Sequence, residues 1–406
     1  MSLLAVEDAL RNVLATIGPP LEAESVPLKG AAGRILAEDV AAKRDQPPFA
    51  ASAMDGYAVR HADVERVPAT LRIIGTSAAG SRFKGPIGIG EAVRIFTGAP
   101  LPDGADCIVI QENTRSLDGA VTIDEAPVPG RNIRPSGLDF KAGEIGLEAG
   151  RVIDARAIAL AAAMGYGSLP VRRRPRVAIL ATGDELVPAG DEPGPDQIVA
   201  SSLPALLAMA GKAGAETIDL GIARDSLESL DERLGAAKSA KADILVTLGG
   251  ASVGDHDLVQ QALTRQGMRL GFWRVALRPG KPLMHGKLGG MTLLGLPGNP
   301  VSSIVCAILF LIPAIRALQG HPDPGEDPTD AGVLGTDLGP NGDRQDYMRA
   351  SVSAGDNGPL VTPHPTQDSS MLGVLSRSDA LLVRTPFEPA QKAGNPCRMI
   401  ALERFC

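Results

Sequence analysis

Aromatic residues are scarce in this chain: one Trp, three Tyr and eight Phe among 406 residues, 3% in all. The apolar share is an ordinary 44%, so Ala, Val, Leu and Ile must fill most of the core. Cysteine is sparse too. Cys107, Cys306, Cys397 and Cys406 stand far apart, with neither disulfide-framework nor metal-ligand spacing, which suits a reducing cytosol. Of five histidines only His256 lies in a loop of interest, where solvation or helix capping accounts for it, so no catalytic His or Cys stands out. Basic residues are not in excess. Forty Lys and Arg against 47 Asp and Glu leave a net charge of −7, which argues against nucleic acid or an acidic membrane as partner. The strongest apolar run, 304–311, is too short for a bilayer, which needs roughly 20 residues, and reads as a buried helix. Glu7, Asp8 and Arg11 interrupt any signal-peptide pattern, so a cytoplasmic location is expected.

Glycine and proline, at 47 and 33, are plentiful. They gather in six segments: Pro47-Pro48-Phe49 leading to Ser52-Ala53-Met54-Asp55-Gly56-Tyr57, Thr97-Gly98-Ala99-Pro100, Thr182-Gly183-Asp184-Glu185, Gly249-Gly250-Ala251-Ser252-Val253-Gly254-Asp255, Arg278-Pro279-Gly280-Lys281-Pro282 and Leu296-Pro297-Gly298-Asn299-Pro300. Each joins a backbone-bending residue to a carboxylate, hydroxyl or cation, the composition of loops that hold anions and metal ions.

The length predicts two to four domains. Apolar residues at helical spacing from Val6 to Ile17 give an opening helix that Gly18-Pro19-Pro20 stops. Short apolar runs broken by turns over 71–123 predict an all-β unit, and a helix over 155–164 follows Asp154 as N-cap. Arg172-Arg173-Arg174-Pro175 reads as a boundary whose charge solvates a loop. From Val177 strands alternate with helices, which predicts βαβ units and a mostly parallel sheet, with ligands bound beyond the carboxyl ends of its strands. The segment 319–332 reads as a linker, and 333–400 as a further β domain.

Three loops fall at that sheet edge. The backbone N–H groups of the glycine-rich loop from Gly249 can cradle an oxyanion, although the loop lacks the ending of a P-loop, and a tight turn alone also explains its glycines. Carboxylates beside such a cradle call for a bridging cation, commonly Mg²⁺, which makes Asp257 a candidate ligand; helix capping is the equal alternative. Glu185 is harder to assign to a cap, since Thr182 and Asp184 are at hand. Arg278 and Lys281 flank a stiff turn at a spacing that suits one oxyanion. Ser302 and Ser303 lie in the first turn of an apolar helix that Asn299 and Pro300 open. Asp55, Thr97, Arg131, Arg134 and Asp139 belong to the β unit; Arg344, Arg349, Ser369 and Ser370 form a polar group near the C-terminus.

In order and in wording these segments, from residue 47 to 303, resemble the molybdopterin molybdenumtransferases, the MoeA family to which the E domain of gephyrin also belongs. The resemblance implies a multidomain fold: a linker domain (1–45 and 141–174), an inserted β domain (46–140), a molybdopterin-binding three-layer α/β/α domain (175–320) and a C-terminal β-barrel (331–406). It also implies a homodimer whose cleft combines domains of both subunits. The implied reaction inserts molybdate into adenylylated molybdopterin, with Mg²⁺ required and AMP released, and places the chain among transfer partners of molybdenum cofactor biosynthesis and apo-molybdoenzymes. By motif position, Asp55, Thr97, Asp139, Glu185, Asp225 and Asp257 match polar residues of the family's cleft, with Glu185 and Asp257 toward the metal. Thr182, Gly249, Gly250, Ser252, Gly254, Arg278, Lys281, Pro297, Pro300, Ser302, Arg349 and Ser370 match its ligand-binding positions. The chain departs from the family at Ala50-Ala51, at Leu248 and Ala251, and at Ala200-Ser201-Ser202, where Asp-Ser-Asn is common. Loss of those polar groups motivates a second reading, a catalytically weak paralogue that binds molybdopterin as a scaffold or carrier.

Overall fold

The computed structural model describes residues 3–250 and 258–406. Its tertiary contacts divide the chain into two units, a larger one of Met1–Glu24, Gly33–Ala37 and Val171–Cys406, and a smaller one of Ser25–Ala32 and Glu38–Pro170. The opening helix α1 (Val6–Thr16) buries Val6, Ala9 and Val13 in the core of the larger unit.

The smaller unit is built on a six-stranded sheet of β1 (Gly56–Val59), β2 (Ala69–Ser77), β3 (Glu91–Ile95), β4 (Cys107–Ile110), β5 (Thr114–Leu117) and β6 (Ala120–Ile123), in the order β4-β1-β3-β2-β6-β5. Its pairs are antiparallel except β2 with β3. Alternation puts Tyr57, Val59, Ala92 and Val109 in one buried cluster and Ala58, Val93, Ile95 and Ile108 in another, so both faces of the sheet are covered. Helix α2 (Ala155–Ala163) closes this unit. Asp154 caps it by accepting from the Ala157 N–H at 2.8 Å.

In the larger unit β7 (Arg176–Thr182), α3 (Ser202–Lys212), β8 (Glu216–Ala223), α4 (Leu227–Ser239), β9 (Ile244–Leu248) and α5 (Leu258–Arg265) alternate as the sequence indicates. The chain then runs through β10 (Arg269–Arg274), β11 (Leu277–Arg278), β12 (Pro282–Leu288) and β13 (Met291–Leu296). The sheet order is β8-β7-β9-β13-β12-β10; the first four strands are parallel, and β12 and β10 add an antiparallel edge. Two apolar clusters cover its two faces. The run 172–174 does more than solvate a loop. Arg173 donates to both Asp243 carboxylate oxygens at 2.9 and 3.1 Å and to Glu22, and Arg172 donates to the carbonyls of Leu21 and Ala37.

The apolar run 304–311 belongs to a longer helix, Pro300–Leu318, of 19 residues, and 89% of its most apolar 18-residue window is buried, so it is a core helix despite a length close to a membrane span. It comprises α6 (Pro300–Cys306), a π-turn at Ala307–Leu311 and α7 (Ile312–Leu318). Pro313 has no N–H to give, and the π-turn before it accommodates that gap. Finally β14 (Asp330–Leu334), β15 (Gln345–Ser353), β16 (Leu360–Pro363), the short helix α8 (Leu372–Leu375), β17 (Ala380–Arg384) and β18 (Pro396–Ala401) follow. These five strands close into a barrel, because β15 pairs with both β16 and β17, and β11 adds to β15 in parallel. The C-terminal β domain is therefore a barrel within the larger unit.

Candidate active site

Parallel strands β7, β9 and β13 end side by side, and their carboxyl ends pass into three of the loops singled out in the sequence. After β7, the Thr182 hydroxyl is buried and donates to the Leu248 carbonyl at 3.3 Å, tying the first loop to the second. After β9, the Gly249 N–H reaches the Leu296 carbonyl at 3.1 Å, tying the second to the third. Both glycines of this loop have positive φ, +93° and +63°. A Cβ on Gly249 would stand 2.8 Å from the Thr182 carbonyl oxygen, and one on Gly250 only 2.2 Å from Val259 Cγ2. Glycine is therefore required here by conformation and by space.

These ends floor a cavity of about 870 Å³, lined in part by Thr182, Glu185, Gly249, Gly250, Pro297 and Pro300. Its walls include Ser201 and Ser202 at the entry of α3, with Ser370 and Leu372 from the barrel. Among the described residues three charged side chains line it: Glu185, Arg274 and Lys281. Among the described residues no hydrogen bond or ion pair engages the side chain of any of the three, which leaves them available to a ligand. Two cations facing one carboxylate favour an anionic guest with room for a bridging metal. Asp184, next to Glu185, is occupied in accepting from the Asp225 N–H at 3.2 Å; that bond links the ends of β7 and β8, and Asp225 is outside the cavity lining.

Arg278 and Lys281 are placed differently. Lys281 faces the cavity, whereas Arg278 is bound to the buried Asp346 of β15, a hydrogen bond that raises the guanidinium's already high pKa. Arg349, on the same strand, is 1% exposed. Its Nη2 donates to the Asp368 carbonyl at 3.0 Å and its Nε has no partner among the described residues, while burial pulls its pKa down. A buried guanidinium with a spare donor is costly unless an acceptor arrives. Asp368 in turn accepts from the Ser370 hydroxyl at 2.6 Å and N–H at 2.8 Å, which holds its carboxyl below the usual range and fixes Ser370 at the cavity wall. Asn299 occupies the N-cap position of α6, yet its side chain makes no cap bond and donates instead to Ser369 Oγ at 2.8 Å. Ser302 is buried in α6 and does not line the cavity.

The smaller unit brings Asp55 and Thr97 together. Asp55 Oδ1 accepts from the Thr97 N–H at 2.7 Å and from its hydroxyl at 2.8 Å, and the backbone bond leads in lowering the carboxyl's pKa. Asp139, in the same unit, is exposed; its N–H donates to the Gln46 carbonyl at 2.9 Å. Ser252, Gly254 and Asp257 lie outside the described residues. Reading the sequence missed Arg274, Asp346 and Asp368. Arg274 was within reach, four residues before Arg278 in the same cationic string; the other two have no local signal.

Residues 4–165 match the MoeA N-terminal region (domain I and II), 178–317 a probable molybdopterin binding domain, and 331–402 the MoeA C-terminal region (domain IV). The chain is 34% identical to the molybdopterin molybdenumtransferase of Haemophilus influenzae over 94% of each chain. It is 39% identical to that of Nostoc over 84% of this chain and 80% of the relative. The crystal structure of a molybdopterin biosynthesis MoeA protein from Pyrococcus horikosii superposes with a TM-score of 0.86 at 29% identity, covering 98% of this chain and 99% of that one. With its three regions in family order and a relative this similar over nearly its whole length, the chain belongs to the molybdopterin molybdenumtransferase family and is a transferase.

Proposed function

We propose that the protein inserts molybdate into adenylylated molybdopterin and releases AMP, with Mg²⁺ as the metal. The observation that carries this reading is the pairing of an anion cradle with unspent positive charge: Lys281 and Arg274 line the cavity and have no side-chain partner among the described residues. A phosphate suits the Gly250 N–H at the end of β9, and a tetrahedral dianion suits Lys281 and Arg274.

Among the described residues no three His, Cys, Asp or Glu side chains form a metal cluster. Mg²⁺ does not need one, because it is characteristically held by one or two carboxylates together with substrate phosphates and water. The unpaired Glu185 in the cavity wall fits one such position, and by family resemblance Asp257 supplies a second. Bound there, the metal would polarise the phosphoanhydride of the substrate. The chain's own residues hold the phosphates at the Gly250 N–H, keep the oxyanion beside Lys281, and fix both in one orientation. In this reading Asp55 and Thr97 complete the cleft of the partner subunit in a homodimer.

The test is to incubate the purified protein with adenylylated molybdopterin, molybdate and Mg²⁺, following AMP release and activation of an apo-molybdoenzyme. Molybdate-dependent AMP release is expected. Binding of the pterin without it would assign the chain to the scaffold reading, which the apolar Ala200 and Leu248 in the cavity wall favour.

A further inference from the structure

Asn299 stands at the N-cap of α6 with φ −61° and ψ 125°, an extended backbone from which an asparagine commonly caps its own helix. Here it leaves that cap unmade. Pro300 has no N–H to satisfy, and the Ser302 N–H, which such a cap would meet, has no acceptor among the described residues. Asn299 Nδ2 instead donates at 2.8 Å to Ser369 Oγ, in the loop between β16 and α8. Ser369 answers with a second bond, its carbonyl accepting from the Val301 N–H at 3.2 Å. A barrel residue therefore satisfies a donor at the start of α6 that the helix's own N-cap side chain does not.

This pair of bonds joins two sides of the cavity. On the first side Asn299 lines it, in a loop seated on the glycine loop: the Gly249 N–H donates to the Leu296 carbonyl at 3.1 Å, and a Cβ on Gly298 would lie 3.7 Å from Gly249 Cα. On the second, Ser370 and Leu372 line it from the barrel. Their loop is braced from within the barrel: Asp368 accepts from the Ser370 hydroxyl and N–H, Arg349 Nη2 donates to the Asp368 carbonyl, and the Leu372 N–H donates to the Ser370 carbonyl at 3.0 Å. Ser369 thus stands between the strand ends that floor the cavity and the loop that forms its barrel wall.

We propose that Asn299 and Ser369 are positioning residues that latch the barrel wall of the cavity to its floor, so that Ser370 and Leu372 hold their places before the ligand arrives. An asparagine serving the helix alone would turn to the Ser302 N–H; this one leaves that donor unmet and spans to the barrel. Fixing a wall in advance removes an ordering cost from ligand binding. The inference rests on the reading of the cavity as the site of the pterin substrate.

Asn299→Ser separates a latch from a helix cap. Serine caps as well as asparagine, but its hydroxyl ends one bond short of the amide nitrogen, so the variant can satisfy the Ser302 N–H while losing the bond to Ser369. Its melting temperature should stay within about 2 °C of the wild type or rise, while the Kd for adenylylated molybdopterin rises about fivefold. Ser369→Ala should give the same rise, and Ser369→Thr, which keeps the hydroxyl, should stay within about twofold of the wild type. The double variant, Asn299→Ser with Ser369→Ala, should remain near about fivefold, because the same bond is lost in each. A Kd within about twofold of the wild type in Asn299→Ser overturns the inference, as do independent effects that multiply to about 25-fold in the double variant. Should Asn299→Ser fail to fold, Ser369→Ala against Ser369→Thr decides the matter, and equal affinities in those two overturn the inference. Wild-type binding without molybdate-dependent AMP release would sink the insertase reading alone, with the affinity series still deciding the latch; no binding by the wild type would remove both.

Discussion

Single residues set the limits of this site through conformation and burial. Gly250, at φ +63° with its missing Cβ 2.2 Å from Val259 Cγ2, cannot be enlarged without moving the loop or α5. Gly250→Ala is expected to cost about 1–3 kcal/mol of stability from backbone strain and overpacking, and to weaken pterin binding more than tenfold. Denaturant unfolding and equilibrium binding measure the two effects. A Val259→Ala change in the same chain should restore part of the binding, because it removes the 2.2 Å contact with Cγ2 and leaves the strain and the 2.8 Å contact with Cβ. His285 shows burial acting on charge. It is 1% exposed, with Nδ1 at 3.1 Å from the Leu293 carbonyl and Nε2 at 3.0 Å from Thr16 Oγ1, and burial pushes its pKa below the ordinary 6.5. The unfolded chain therefore binds this proton more readily than the folded one. The contribution of His285 to stability is complete above about pH 6.5 and is lost as pH falls toward the folded-state pKa, by at most about 1.4 kcal/mol per unit. In His285→Gln the decline in melting temperature between pH 7 and 5 should be shallower than in the wild type; an unchanged slope would exclude His285 as its source. The motif residues were legible at this scale because glycine, proline and lysine declare their uses locally. The carboxylate that answers Arg278 was not, since 68 residues separate the pair.

At the scale of elements, alternating strands and helices from β7 to α5 could be read because each helix has an amphipathic face and each strand is a short apolar run between turns. The antiparallel edge of β12 and β10 was less visible. Strands covered on both faces lose the period of two, and the long helix through Ala307–Leu311 is apolar all round, so neither its extent nor its π-turn has a periodic signature. The arginine run 172–174 misled for another reason: charge near a domain boundary looks solvated until the acids that meet it are placed. Asp243 is such an acid, 17% exposed and accepting from both Arg173 nitrogens and from the Arg176 N–H at 2.7 Å, so it joins the start of β7 to the start of β9. Asp243→Ala should destabilise the protein by about 2–4 kcal/mol, because a partly buried guanidinium and a backbone donor lose their acceptor. Chemical denaturation gives that value. The KM for molybdate should remain near that of the wild type, since Asp243 lies at the amino ends of the strands and the cavity at their carboxyl ends.

For the whole molecule, the residues carried over from the family fall into two separately packed units. The cavity lining with Glu185 and Lys281 comes from one, and the Asp55–Thr97 pair from the other. Loop composition could reveal both sets but not which subunit completes which cleft, because nothing in a sequence distinguishes a contact within a chain from one across a symmetry axis. The proposed dimeric cleft does make that distinction experimentally. Asp55 is held by hydrogen bonds to an exposed threonine on a neighbouring loop of the same unit, so Asp55→Ala should unfold at nearly the wild-type temperature while losing most molybdate-dependent turnover. Glu185→Ala should do the same by removing a carboxylate that has no side-chain partner among the described residues. If each cleft takes Asp55 from one subunit and Glu185 from the other, a mixed dimer of the two variants contains one cleft with both defects and one with neither. Random reassociation of equal amounts would then restore about a quarter of wild-type activity, since about half the dimers are mixed and each has one intact cleft. If both residues served a cleft within their own subunit, every cleft in the mixture would carry one defect, and turnover would stay at the level of the separate variants.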